Sequence, residues 1–176
     1  MLYYEIEKKL NEGPASISLH DQSVCNLRFY KNNLYIRFVQ SYYNDSLGIL
    51  KDENGLVLLD LVLYDIDILD MYLGNDFNFI NSEVLRNTYE NGVFYLYLDD
   101  FYHDENFCIH LKFKKFKWSV FKVIDKMEYE QYLDDIKNLK LNNIVLSNGK
   151  SYDQKPTLSL FNEIEKDKFA TWLNEK

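Results

Sequence analysis

The chain has 176 residues, of which 47% are hydrophobic and 27% are charged. This composition is typical of a globular protein that buries its own core, and it excludes a disordered tail as the main content. The formal net charge of −8 argues against nonspecific nucleic-acid binding, because contact with phosphates needs a basic surface. We therefore expect a single domain over residues 1–176 whose partner carries the opposite charge.

No segment predicts a membrane span or a secretion signal. The most apolar run, Leu56 to Leu69, is interrupted by aspartates and cannot supply the uncharged stretch that crosses a bilayer. The stretch Met1 to Leu10 is charged and lacks the apolar centre of a signal peptide. Cys25 and Cys108 show no zinc-binding spacing, and reduced thiols are the usual state in a cytoplasm. A cytoplasmic protein without membrane contact is expected.

The first predicted elements are a short helix, a hairpin and a third strand. Apolar residues at helical spacing predict a helix that ends before Gly13. Strands are predicted over 23–30 and 34–40, with asparagines supplying the positive φ of the turn. In a further predicted strand, 56–64, the residues at odd and at even positions are apolar except for Asp60. This pattern predicts burial of both faces of the strand.

The next stretch, residues 74–92, is polar and rich in asparagine. It predicts a long irregular connection with one helical turn at 82–86.

The clearest pattern in the chain is a second hairpin. Residues 93–98 and 107–113 alternate in polarity and are joined by a polar, turn-forming stretch. The hairpin is expected to pair Tyr95 and Leu96 with the region Ile109 to Leu111. After Phe113 the apolar residues shift from odd to even positions. This shift predicts a bulge or a strand break.

The C-terminal part predicts helices. A helix over 126–139 has Asp125 as its cap and Glu128 three residues later, and the apolar spacing over 161–173 also favours a helix. The predicted fold is α+β: a mostly antiparallel sheet built from hairpins, a short N-terminal helix, and one or two C-terminal helices.

No motif predicts catalysis. Nucleotide-binding loops and nucleophile elbows are absent from the sequence, so no catalytic residue is assigned. His103, His110 and the neighbouring acids are the ligand types of a divalent metal, yet no spacing such as HExxH places two of them on one face. We expect no cofactor and no metal, and a metal-assisted hydrolase using His103, His110 and the nearby acids is an alternative function.

Loop tyrosines and acids are the candidate partner-binding residues. Tyrosine occurs 15 times and offers large contact area at a small entropy cost. A coding sequence rich in A and T would also raise the tyrosine content, so both explanations stay open. The candidates lie in two predicted loops: Tyr42, Tyr43, Asp45, Asp99, Asp100, Tyr102, Asp104 and Glu105.

The start of the first hairpin carries a resemblance. The run Leu19-His20-Asp21-Gln22-Ser23-Val24, followed by an Asn-Asn turn, resembles small bacterial cytosolic proteins in which this start precedes an antiparallel sheet, some of them similar to immunity proteins of polymorphic toxin systems. The resemblance implies a non-enzymatic cytoplasmic inhibitor that binds a toxin domain. It carries over no residue beyond His20 and Asp21, whose implied role is structural.

These observations predict a non-enzymatic, immunity-type binding protein that occludes a basic partner protein such as a toxin domain. The alternatives are the metal-assisted hydrolase and a subunit of a homo-oligomer.

Overall fold

The computed structural model describes residues 3–75, 77, 82–101 and 103–134, together with 137–138, 144–145, 149, 151–152 and 158–159. The main elements are one eight-stranded antiparallel sheet and two helices. In chain order they are α1 (Tyr3–Leu10), β1 (Ser23–Tyr30), β2 (Asn33–Ser41), β3 (Gly55–Tyr64), β4 (Asp67–Leu73), β5 (Ser82–Glu90), β6 (Val93–Asp100), β7 (Glu105–Lys112), β8 (Lys115–Asp125) and α2 (Lys126–Asp134). The short strands β9 (Lys137–Asn138), β10 (Ile144–Val145), β11 (Ser151–Tyr152) and β12 (Leu158–Ser159) pair as β9 with β12 and β10 with β11. Within the described ranges, no helix is long and apolar enough to cross a membrane.

The sheet folds back on itself. Its strand order is β4-β7-β6-β5-β1-β2-β3-β8, so β3 and β4 are six positions apart, yet only Asp65 and Ile66 connect them. Six strand spacings of ~4.8 Å would separate them by ~29 Å in a flat sheet, whereas this link can span only ~10 Å. The sheet therefore curls into two halves, β4-β7-β6-β5 and β1-β2-β3-β8, which share an inner face.

The inner face holds the main hydrophobic core. Buried side chains of both halves belong to one cluster, which also includes residues of α1. Among its fully buried members are Leu10, Leu27, Ile36, Leu59, Leu96, Ile109, Leu111 and Trp118. Because both halves contribute to one cluster, the fold of each depends on the other.

The edge strand β8 is covered by α1 and the residue that follows it. The side-chain amide of Asn11 donates to the carbonyl of Trp118 at 2.9 Å and accepts from the Trp118 amide at 2.8 Å. The amide of Val120 donates to Glu7 at 3.0 Å. These bonds occupy backbone groups that an edge strand would otherwise leave open for pairing.

Strands β2 and β3 are buried on their outer face as well, and we call this surface the buried outer face. As predicted, β3 is buried on both faces. Its acid Asp60 accepts two bonds from Arg37, at 2.6 and 3.0 Å, and the Arg37 guanidinium lies 3.5 Å from the centre of the Phe121 ring. Burial raises the pKa of Asp60, and the charge of Arg37 offsets part of that rise.

Several predictions about the elements are confirmed. The strands over 23–30, 34–40, 56–64, 93–98 and 107–113 are all present within a residue or two of their expected bounds. The second hairpin pairs Tyr95 with His110 and Leu96 with Ile109. The expected strand break lies between β7 and β8.

One prediction about the elements is wrong and another is correct only in part. Residues 82–86 form the start of strand β5 rather than a helical turn, and β5 occupies residues 82–90 of the expected irregular connection. The helix predicted over 126–139 is present and begins at the predicted cap, where the amide of Glu128 donates to Asp125 at 2.7 Å, but it ends at Asp134 and residues 137–138 form β9. The helix predicted over 161–173 lies outside the described residues.

A β-bulge also changes the orientation of Cys25. Strict alternation would place Cys25 on the same face as Leu27, but the β1 register skips one residue between Val24 and Asn26. The bulge turns Cys25 to the buried outer face, where it packs in a second cluster with Val39. Burial there raises the pKa of its thiol far above the usual range.

Candidate protein-binding surface

The outer face of β4-β7-β6-β5 is open to solvent, and we call it the open outer face. On β6, the fully buried Phe94, Leu96 and Leu98 face the core, so Tyr95 and Tyr97 point outward. The strand register aligns outward residues across the sheet in two rows. One row is Arg86, Tyr97, Cys108 and Tyr72, and the other is Thr88, Tyr95, His110 and Asp70.

His110 lies at the centre of the open outer face. Its Nε2 is 2.9 Å from the hydroxyl of Tyr97, and its ring centre is 4.8 Å from that of Tyr95 in an edge-on arrangement. Asp70 is its neighbour on β4. These contacts hold the rings of Tyr95 and Tyr97 in fixed positions.

Arg86 stacks on the same two tyrosines. Its guanidinium carbon lies 5.1 Å from the ring centre of Tyr95 and 5.6 Å from that of Tyr97. Its Nε donates to Thr88 at 3.0 Å, and its Nη2 lies 3.1 Å from Glu90. The tyrosine rings of this face therefore accept a guanidinium in the cation–π geometry.

Carboxylates outnumber cations on this face. The outward acids are Asp67, Asp70, Glu83, Glu90 and Asp99, and the outward cations are Arg86 and Lys112. Partial burial raises the pKa of Glu83, and a hydrogen bond with Asp21 and the negative charge of Asp21 raise it further. Such crowding of carboxylates produces a negative potential that attracts basic groups.

Cys108 lies between Tyr97 and Tyr72 in its row. Burial raises the pKa of its thiol, the charge of Asp70 raises it further, and a hydrogen bond with the backbone of Tyr72 acts in the opposite direction. At neutral pH most of the thiol is therefore protonated, and it reacts slowly with alkylating reagents.

The tyrosines predicted for the first loop are exposed. Tyr42 and Tyr43 lie in a 3-10 helix over Tyr42–Asn44 and are 40% and 73% exposed. Their rings meet edge-on with centres 5.7 Å apart. A hydrogen bond with Glu53 raises the pKa of Tyr43.

That loop adjoins the end of the open outer face. Asn44 donates from its side chain to the carbonyl of Asp21 at 3.4 Å, and the amide of Asp21 donates to the carbonyl of Val84 at 3.1 Å. Glu83, next to Val84, pairs with Asp99. The structure thus connects the loop that carries Tyr42 and Tyr43 to Asp99, although the two are far apart in sequence.

Two of the predicted acids have structural partners. The carboxylate of Asp45 accepts bonds from the amides of Leu47 at 3.1 Å and Leu50 at 2.6 Å. Asp100 is buried, and its Oδ2 lies 2.6 Å from Nδ1 of His103. Both acids therefore stabilise the loops that contain them.

The remaining candidates lie at the tip of the β6–β7 hairpin. Asp104 is exposed and adopts a φ of 51° in the turn. Glu105 opens β7 and lies against Gly74, where a Cβ atom would overlap its carboxylate. Tyr102 lies outside the described residues. His20 and Asp21 form an exposed pair with a 2.7 Å contact, next to the start of β1.

The two histidines of the alternative metal site are not brought together. His103 bonds Asp100 in the turn, whereas His110 bonds Tyr97 on the sheet. The strand between Glu105 and His110 alone extends roughly 17 Å. In the part of the chain that the structure describes, no group of three His, Cys, Asp or Glu side chains has a metal-binding arrangement.

Comparison with protein-family models, with curated proteins and with solved structures gives no significant match for this chain.

Proposed function

We propose that this protein is a non-enzymatic binding protein that occludes a basic partner protein, such as a toxin domain, in the manner of an immunity-type inhibitor. The observation that carries the proposal is the open outer face. It combines fixed, partly exposed tyrosines with five outward acids against two outward cations, whereas the outer face of β2 and β3 is buried.

The acids and the tyrosines act at different stages of binding. Uncompensated carboxylates speed the encounter with a basic partner, because long-range attraction acts before contact. Tyrosines then supply the contact area that slows dissociation, because they bury large rings with few rotatable bonds. Tyr42, Tyr43, Asp99, Asp104 and Glu105 extend this surface at one end, whereas Asp45 and Asp100 support its loops.

The homo-oligomer alternative is less favoured by the same charges. A symmetric dimer through this face would bring the acids of both copies together. Like charges placed opposite each other across an interface destabilise it.

The test begins with cross-linking of the full chain in its native cells and identification of the cross-linked protein. That protein is then purified, and its association with the full chain is measured at several salt concentrations. The test variant is the double substitution Asp67→Asn with Asp70→Asn. A matched control, Glu130→Gln with Asp52→Asn, removes the same charge from exposed positions outside the open outer face.

We expect the test variant to associate several-fold more slowly at low salt and to show a flatter salt dependence. The control should show a smaller change in both. Equal effects of the two variants would show that net charge rather than this face steers binding. Unchanged kinetics in both would contradict the proposed function.

A further inference from the structure

Two tyrosines flank a cysteine on the open outer face, and we call the place between them the slot; the inference drawn from it rests on the proposed function. Cys108 has Tyr97 directly beside it on β6 and Tyr72 directly beside it on β4. The thiol is small, whereas both of its neighbours in the row carry large rings. Tyr72 is 56% exposed, so this part of the row borders solvent.

The width of the slot suits a planar cation. Strands that are two positions apart are separated by ~9.6 Å, twice the ~4.8 Å spacing of neighbours. A cation midway between the rings would lie ~4.8 Å from each, within the ~6 Å range of cation–π attraction. A guanidinium is flat and weakly hydrated, so it suits this position better than an ammonium.

The charges around the slot have the matching sign. Asp70 is beside His110 in the next row, and its charge acts on Cys108. Asp99 projects from the same face of β6, two residues beyond Tyr97. These carboxylates would accept hydrogen bonds from a bound guanidinium.

The protein fills the neighbouring position with its own side chain. Arg86 lies over Tyr95 and Tyr97 on the β5 side of the row, where Glu90 and Thr88 hold its guanidinium. On the β4 side of Tyr97 the row offers a second ring, Tyr72, and the small Cys108 instead of a cation.

We propose that the slot between Tyr72 and Tyr97, above Cys108, binds an arginine side chain of the partner protein. The arginine would repeat, on the other side of Tyr97, the stacking that Arg86 makes within the chain. The partner's chemistry is thereby specified as a surface arginine that enters between two rings and meets Asp70.

Cys108 provides a direct readout of the slot. Cys25 is fully buried and Cys108 is half-buried, so an alkylating reagent reaches Cys108 first. The probe is a triarginine peptide added to the full chain during reaction with iodoacetamide at constant pH. Its matched control is the same peptide with citrulline, which keeps the shape of arginine and lacks the charge.

We expect the triarginine peptide to slow alkylation of Cys108 at least threefold and the citrulline peptide to have little effect. Protection should be lost in Tyr72→Ala and reduced in Asp70→Asn, while Tyr4→Ala, which removes an exposed ring from α1, should keep it. Protection that persists in Tyr72→Ala, equal protection by the two peptides, or no protection by either would overturn the slot.

Binding kinetics with the purified partner distinguish an error in this inference from an error in the proposed function. If Asp67→Asn with Asp70→Asn slows association but Tyr72→Ala leaves the dissociation rate unchanged, the binding face stands and the slot is wrong. If neither variant changes the kinetics, both are wrong. The slot is supported if Tyr72→Ala dissociates faster from the partner and if substitution of one arginine in the partner has the same effect. The two substitutions together should then have no larger effect than either one alone.

Discussion

The two outer faces of the sheet use the same three kinds of side chain in different environments. On the buried outer face, Arg37 and Asp60 are both 3% exposed and lie beside Phe121. On the open outer face, the side chain of Arg86 is 39% exposed, pairs with Glu90 and stacks on tyrosines. Arginine, carboxylate and aromatic ring thus occur together twice.

Burial decides what each group does. A buried charge that loses its partner cannot recover its hydration, so the pair on the buried outer face fixes the structure. An exposed pair is screened by water and contributes little to stability. The groups of the open outer face can therefore exchange contacts for those of a partner at small cost to the fold.

The largest expected effect is the loss of stability in Asp60→Asn, on the buried outer face. Asp70→Asn, on the open outer face, is the matched comparison. Asp60→Asn leaves the Arg37 guanidinium buried without that carboxylate and should cost about 3 to 5 kcal/mol of unfolding free energy. Asp70→Asn, on the exposed strand β4, should change it by about 0.5 kcal/mol or less. Urea unfolding followed by tryptophan fluorescence measures both; similar losses would mean that the two faces do not differ in burial.

A truncation on the inner face should lower the free energy of unfolding almost as much. Leu111 is fully buried in the main core, and Leu111→Ala should cost about 2 to 5 kcal/mol. Its exposed neighbour provides the control, because Lys112→Ala should stay within about 0.5 kcal/mol of the native chain. A loss below about 0.5 kcal/mol for Leu111→Ala would place that side of β7 in solvent.

Kinetics can distinguish the acids from the aromatic residues at the end of the surface. Asp104→Asn with Glu105→Gln should slow association with the purified partner a few-fold at low salt. Tyr42→Ala and Tyr43→Ala should act on dissociation instead, since aromatic contacts are lost only after docking. If neither pair alters either rate, the partner contacts the open outer face without this end.

The smallest expected effect is on Glu83. Its pKa is raised in the folded protein, so the folded state binds this proton more tightly than the unfolded state does. The ionised form is therefore penalised by folding at neutral pH, and that penalty disappears as the pH falls below the unfolded pKa of ~4.3. Glu83→Gln should raise the urea midpoint slightly at pH 7 and leave it unchanged near pH 3.5. A lower midpoint at pH 7 would contradict this sign.

The sequence predicts the strands best where alternation is regular. β6 and β7 pair without a bulge, and their polarity pattern predicts both the hairpin and its register. β4 and β5 each contain a bulge, at Leu69 and Leu85, so their inward residues do not keep a period of two. The sequence assigns neither of these strands, nor β8, whose register skips Phe121, nor the short strands β9 to β12.

A local signal could have identified β5. Asn91-Gly92 forms the turn between β5 and β6, with φ values of 53° and 78°. An Asn-Gly pair between two β-forming runs is a strong hairpin signal. Reading it as a turn would have extended a strand backward through Thr88 and Tyr89.

The surface was harder to predict than the strands. Tyr95 and Tyr97 alternate with Phe94, Leu96 and Leu98, so the sequence does indicate that the tyrosines point outward. It does not indicate that β4 lies beside β7, or that one outer face is buried and the other open, because these depend on long-range strand order. Likewise, Asp45 and Asp100 look like free loop acids in the sequence, and only the fold shows their bonding partners.

Hydroxyl-radical footprinting of the full chain, alone and bound to the purified partner, shows directly whether the partner covers the open outer face. Tyrosine oxidation is followed residue by residue, so each exposed ring reports on its own surface. We expect protection of Tyr72, Tyr95 and Tyr97, with Tyr3 and Tyr4 on the exposed side of α1 unchanged. Protection of Tyr3 and Tyr4 with no change at Tyr72, Tyr95 and Tyr97 would contradict it.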